Sequence, residues 1–320
     1  MFQKRFYVSV LSVLLVILPV VAILSGCTAT AEKEPKEALS RAALQALGMD
    51  SFVLENRIKI SGLSVNAPSL NPNLVAILSA LSDAEINIRQ IYRKDPMQTE
   101  GQLEIKLAGK AAATITVPFV MTKEKLYLQV PSVPFLPMPK SVTGQFVELD
   151  WKELAKQSGD GFGPDLLDPE KTQKLGADLM TAVLGQFEPD KYFKTMKPEE
   201  AELPEGIKAK QVVRFEATND TDAEAAAKVI HNVLPKVFDH LQIHRFTVDT
   251  AIDGNNFPVY QTLIADVEFN DAQTNDNVKM ALQSTSTYSH INEKPEFEIG
   301  IPAETMTLDK FKEEMRSFGY

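Results

Sequence analysis

The spacing of apolar residues changes several times along the chain, and each spacing predicts a different element. Residues 8 to 24 form an apolar run without charge, at the short end of what spans a bilayer. Residues 28 to 36 are small or charged and have no periodicity, which reads as a flexible tether. Leu39, Ala42, Ala43, Leu44 and Leu47 then make a helical stripe, with Gly48 where a helix commonly ends. Strand signals begin with Phe52, Val53 and Leu54 and continue at Ile58 and Ile60. Asn71, Pro72 and Asn73 cap and open a short helix whose apolar face is Leu74, Ile77, Leu78 and Leu81. From residue 86 to 149 the period drops to two: Leu103, Ile105 and Leu107; Ile115, Val117, Phe119 and Met121; Leu126, Leu128 and Val130. That alternation predicts antiparallel strands with one wet face.

The prolines at 131, 134, 137 and 139 sit among apolar residues and rule out both a central strand and a helix interior. The resulting loop either packs over the core or meets something greasy. A surface loop is expected over 157 to 169, and Asp168 and Pro169 start a helix with Leu175, Leu179, Val183, Leu184 and Phe187 on its apolar side. After a turn-rich connection over 198 to 204, residues 207 to 217 read as a strand. Thr221 and Glu224 read as the capping box of a long helix that runs to about Leu241 and is kinked or divided by Pro235. Phe246, Val248 and Ile252 alternate into the turn Asp253-Gly254-Asn255-Asn256, and Val259, Leu263, Ala265, Val267 and Phe269 alternate out of it. Further strands are expected over 278 to 288 and 297 to 301, and a last helix over 308 to 316.

The start of the chain alters this picture. Lys4 and Arg5, the apolar run, and the exit Leu24-Ser25-Gly26-Cys27 follow the order of a signal peptide. The last four residues resemble the bacterial lipobox, which implies cleavage between Gly26 and Cys27 and a diacylglyceryl group on Cys27. Cys27 is the single cysteine, so no disulfide can form within the chain. Two acyl chains give stable anchorage where one does not. The formal net charge is −10, and loss of the leader removes two cations and no acid. Neither nucleic acid nor an anionic membrane surface attracts such a chain.

Little catalytic chemistry is legible. Gly159, Gly161 and Gly163 alternate without the strand and helix that a dinucleotide fingerprint needs. Of the four histidines, only His240 and His244 have a helical spacing, and no acidic third ligand stands near at metal spacing. The oxygen-rich run 270 to 277 lacks the glycine and terminal glutamate of a calcium loop, and reads as a hairpin connection. No serine lies in a nucleophile elbow, and 43 acidic residues supply chance carboxylate pairs everywhere. Trp151 reads as a partly buried structural side chain. The expectation is a chain with no enzymatic activity, no catalytic or metal residues and no cofactor.

The hairpin from Val248 to Val259, with its Ile252-Asp253 turn and Pro258-Val259, is followed by Tyr288-Ser289-His290-Ile291-Asn292 and Ile301-Pro302-Ala303-Glu304. These stretches resemble the closing strands of LolA-like and LppX/LprG-like bacterial lipoproteins. The resemblance is sequential over 244 to 304 and architectural over 38 to 215. It implies an α+β fold, a curved antiparallel β-sheet (half-barrel) with helices packed across the concave face, and an apolar cavity for lipid or acyl chains such as palmitate. The domain organisation expected is a signal peptide (1–26), a lipidated cysteine and tether (27–37) and one α+β domain (38–320). Candidate cavity or entrance residues are Phe119, Met121, Leu128, Val133, Phe135, Leu136, Met138, Phe246 and Val248. The expected place is the extracytoplasmic face of a bacterial cell membrane. The expected role is binding or carrying a hydrophobic ligand, with a filled-core interaction or sensor module as the alternative, since alternation predicts burial and not vacancy.

Overall fold

The computed structural model describes residues 34–69, 72–109, 112–133, 138–151, 153, 178, 181–218, 220–233, 240–271 and 274–317. Period-two segments become twelve strands of one open, curved sheet: β1 (Ser51–Asn66), β2 (Glu85–Arg93), β3 (Gln98–Leu107), β4 (Ala113–Thr122), β5 (Lys125–Gln129), β6 (Phe146–Asp150), β7 (Phe193–Met196), β8 (Gln211–Ala217), β9 (Leu241–Ile252), β10 (Pro258–Asp271), β11 (Asp276–Ser289) and β12 (Met306–Thr307). Among the described residues these are accompanied by helices α1 (Pro35–Leu47), α2 (Pro72–Ala80), α3 (Pro189–Tyr192), α4 (Asp220–Val233) and α5 (Leu308–Ser317), and residues 181–186 are also helical. The fold is α+β.

The strand order is β12-β6-β5-β4-β3-β2-β1-β11-β10-β9-β8-β7. It consists of two antiparallel meanders, β1–β6 and β7–β11, joined by the pairing of β1 with β11. Among the described strands, only β12, beside β6, runs parallel to its neighbour. The register places the apolar positions of both meanders on one side. Ile58 faces Ile86 and Ser284, Ile86 faces Ile105, and Ile105 faces Ile115. The helices lie on β1, β6–β10 and β12. The largest core cluster joins Ile58, Ile60, Ile86 and Ile88 to Leu263, Val267 and Leu282, with Leu78 of α2 and Ala227 of α4 above them. A second gathers Ala38, Leu39 and Ala42 of α1 with Phe187, Phe193, Val213 and Phe215.

One row of this buried face is polar. Asn56, Ser286, Gln261 and Thr250 stand opposite one another across β1, β11, β10 and β9, all nearly or fully buried. Asn56 Nδ2 donates to Ser286 Oγ at 2.7 Å and Ser284 Oγ at 3.0 Å, and Gln261 Nε2 donates to Thr250 Oγ1 at 3.1 Å. A one-residue slip of β1 against β11 would break the two Asn56 bonds, so Asn56 holds register there.

Several elements differ from the sequence expectation. On α1, Ala38 is buried and Leu44 is 37% exposed, so the stripe is rotated toward the N-terminus. The strand expected from 207 begins at Gln211; Ile207 and Ala209 instead pack on the opposite face near Val212 and Tyr260. Helix α4 begins at Asp220, which places Thr221 inside the first turn and leaves Glu224 to pair with Lys228 at 2.8 Å. Residues 297 to 301 form no strand. They belong to a strap, residues 290 to 305, that crosses the sheet from β11 to β12. Chain running across strands cannot share their ladder, and its N–H groups are satisfied elsewhere. Phe257 N and Asn255 N donate to Asp253 Oδ1 at 2.8 and 2.9 Å, which closes the expected β9–β10 turn. The run 270 to 277 joins β10 to β11, where the buried Asp276 carboxylate accepts from Thr274 Oγ1 at 2.7 Å, Ser69 N at 3.0 Å and Ser69 Oγ.

Candidate functional site

The apolar face has two unlike halves. On β8–β11 its side chains are closed under α1 and α4: Val213, Phe215, Val248, Leu263, Val267 and Leu282 are all at most 8% exposed. On β3–β6 the equivalent positions Leu103, Ile105, Ile115, Val117, Phe119, Met121, Leu126, Leu128 and Leu149 are only half-buried. Among the described residues no helix makes a comparable contact with β2–β5. The half-covered strands are in register, with Phe119 opposite Leu128 and Met121 opposite Leu126. Gly101 stands opposite Phe119. A Cβ there would meet the Arg89 carbonyl and come within 3.0 Å of the Phe119 ring, so glycine is what lets that ring lie over β3.

The expected cavity residues are distributed along this face. Phe119 and Phe246 pack against the same large cluster, which contains Val248. Phe246 also meets Phe215 edge-on at 6.0 Å. Met121 and Leu128 sit in the half-covered part. Met138 packs at the far edge with Val130, Val142, Val147 and Met306, against Phe311 and Met315 of α5. Val133 is half-buried in an isolated bridge. Phe135, Leu136, Gly26 and Cys27 lie outside the described residues, as do Pro235 and the loop at 157 to 169. No helix among the described residues is long and apolar enough to cross a membrane.

The opposite face is polar and carries a cleft of about 670 Å³, which the sequence reading treated only as a wet face. Its floor is the alternate set Glu55, Arg57, Asn87, Arg89, Gln102 and Glu104, with Phe146, Pro118 and Gln129 on one side and Glu298 and Ile299 of the strap on the other. Its charges are paired. Arg57 bonds Glu85, Arg89 reaches Glu298 at 3.2 Å and Glu55 at 3.9 Å, and Lys106 reaches Glu104 at 2.9 Å. Hydrogen bonds from Arg57 and Asn87 hold the Glu85 carboxyl below its ordinary value, and those from Lys106 and Asn87 do the same for Glu104.

The strap is fixed over this face at successive strands. Asn292 N donates to Ser51 O at 2.8 Å, and Asn292 Oδ1 accepts from Asp50 N at 2.7 Å. Arg93 lies 4.8 Å from the Phe297 ring. Glu100, 1% exposed, accepts from the backbone N–H groups of Glu298, Ile299 (3.1 Å) and Gly300 (2.8 Å). Charge-assisted bonds of this kind are about twice as strong as neutral ones. Thr305 Oγ1 donates to Glu148 at 3.1 Å before β12 joins β6.

The remaining candidates take structural places. Trp151 Nε1 donates to Thr122 O at 3.0 Å. His244 lies on β9, 3.1 Å from Glu268, and His240 meets Phe269 edge-on at 5.6 Å. Burial would raise the Glu268 carboxyl, but bonds from Asn277, Lys279 and His244 outweigh it and hold it low. No group of three metal-type side chains is brought together among the described residues.

No family model and no curated protein matches this chain. Among solved structures it has a faint likeness to a conserved protein of unknown function with a hot dog fold from Alicyclobacillus acidocaldarius, at 12% identity over 81% of this chain and 87% of that one, with a TM-score of 0.11. A likeness of that size bears on neither fold nor function.

Proposed function

We propose that this chain is a lipid-anchored, extracytoplasmic binding protein without enzymatic activity, which holds an acyl chain or similar hydrophobic ligand against the half-covered face of β3–β6. One observation carries the reading: nine apolar side chains in register on one face are only partly buried while their counterparts on β8–β11 are closed over. A row of apolar side chains that is not fully closed over fits a binding surface, and strands hold its side chains in a fixed row without reorganisation. The lipobox at residues 24 to 27 and the likeness of residues 244 to 304 to LolA-like lipoproteins support the same reading. The anchor is the diacylglyceryl group on Cys27, and the place is the outer side of a bacterial cell membrane. The second reading, a protein-interaction module, draws on Ile299 and Ile301, 39% and 56% exposed on the strap.

The test is to purify the full chain from a bacterial host, extract it with organic solvent and weigh both fractions by mass spectrometry. The expected result is a diacylglyceryl-modified Cys27 and a further, non-covalent lipid near one per chain. That lipid should fall at least about tenfold in a Val117→Asn, Leu126→Asn variant, because each substitution sets a polar amide in apolar surface. Protein that carries no extractable lipid and shows no affinity for a fluorescent fatty acid overturns the carrier reading. An unmodified Cys27 overturns the anchor.

A further inference from the structure

We propose that the cleft on the polar face is a second binding site, independent of the acyl-chain reading, and that it takes a neutral polyhydroxylated ligand, an oligosaccharide. The volume of about 670 Å³ lies within the range of small-molecule sites and has room for about two or three sugar rings. Its chemistry selects against charge. Arg57, Arg89 and Glu104 each have an opposite partner already, and Glu100 is saturated by the strap backbone. A charged ligand would therefore have to compete with an ion pair that is already made.

A sugar needs no such exchange. Vicinal hydroxyls both donate and accept, so they bond to carboxylates and to guanidinium or amide groups without altering the charge balance. Gln102 supplies a planar amide at the cleft, and Asn87 and Gln129, whose amide nitrogens already donate to Glu85, Glu104 and the Gly144 carbonyl, supply amide carbonyls. Phe146 and Pro118 supply flat apolar surface on one wall, suited to the C–H face of a pyranose. Most of these groups stand on paired strands, which keeps them in place before the ligand arrives.

The probes are chitotriose and maltotriose, titrated into the purified full chain and followed by saturation-transfer NMR, with spermine and citrate as cationic and anionic comparators. At least one trisaccharide is expected to bind with a Kd of about 1 mM or tighter. Preference for chitotriose would point to an amino-sugar polymer of the envelope as the source, and preference for maltotriose to a soluble glucan. Gln102→Ala, at an exposed side chain, should weaken binding about tenfold without moving the melting temperature. Phe146→Ala should weaken it at least as much, while Leu126→Ala on the other face should leave it unchanged. The proposal fails if neither trisaccharide binds, if binding survives the Gln102→Ala, Phe146→Ala pair, or if spermine or citrate competes for the cleft.

Discussion

The two meanders share one alternating code but end in different states. In β7–β11 the apolar side is sealed by α1 and α4, and aromatic contacts such as Phe187 on Phe215 at 5.0 Å lock the seal. In β3–β6 the same kind of side chain leans on its neighbours and is only partly buried, whereas Ile58, Ile60, Ile86 and Ile88 of β1 and β2 belong to the closed core. Stability is therefore concentrated in β1, β2 and β7–β11, and capacity to meet a ligand in β3–β6. Burial rather than hydrophobicity separates scaffold from site, because a side chain contributes to folding only in proportion to the surface it removes from water.

The sharpest way to break this contrast is truncation on each side of it. Phe215→Ala should cost about 3–5 kcal/mol, by lost transfer energy and a cavity among packed rings, read as a lowered denaturation midpoint. If the loss is under about 1 kcal/mol, the sealed half is not the scaffold. Next in size, Glu100→Ala should cost about 2–3 kcal/mol by removing the buried carboxylate that three strap N–H groups share, with faster amide exchange confined to residues 298 to 300. Unchanged exchange there would show that the strap is held by its other anchors. Asn56→Ala should cost about 1–3 kcal/mol, since Ser284 and Ser286 lose their donor; a chain unharmed by it would deny the polar row its part in holding register. Smallest, Leu126→Ala in the half-covered meander should cost about 1 kcal/mol or less, and a cost equal to that of Phe215→Ala would erase the distinction between the halves.

Acid gives a fifth comparison. Glu85, Glu104 and Glu268 have folded pKa values lowered from 4.5. Their contribution is present above that unfolded value and is lost as pH falls through the folded ones. The melting temperature should be flat from neutrality to about pH 5 and decline below pH 4.5, with a shallower decline for Glu268→Gln. A melting temperature that rises on acidification would contradict these pairings.

Alternation was enough to read most of the strands and their greasy side, because a residue such as Val117 or Leu282 declares its face by parity alone. Which of those faces would be covered was not legible. Cover depends on where the helices land: α4 lies on β8 and β9, its neighbours in sequence, but α1 lies on β7–β10, far along the chain from it. The strap misled for a related reason: Phe297, Ile299 and Ile301 alternate as a strand does, yet their backbone is held by Glu100, 198 to 200 residues away. Nothing local marks Glu100 out among 43 acids. The cleft was hidden in plain alternation, since Gln102 and Glu104 look the same whether they border open water or a walled recess. Asn56 and Gln261 sit in strand positions that only the register reveals as buried.

The placing of β12 bears on the order in which the molecule can be completed. Strand β6 is finished by residue 150, but its outer neighbour is Met306 and Thr307. During synthesis, until residues 306 and 307 have emerged, β6 offers bare N–H and C=O groups to any extended segment nearby. A chain stopped short of the strap would keep that sticky border for life, and its Glu100 would remain a carboxylate with no backbone to grip. The last few dozen residues thus act as a clasp that ends the growing sheet and shields it from other chains.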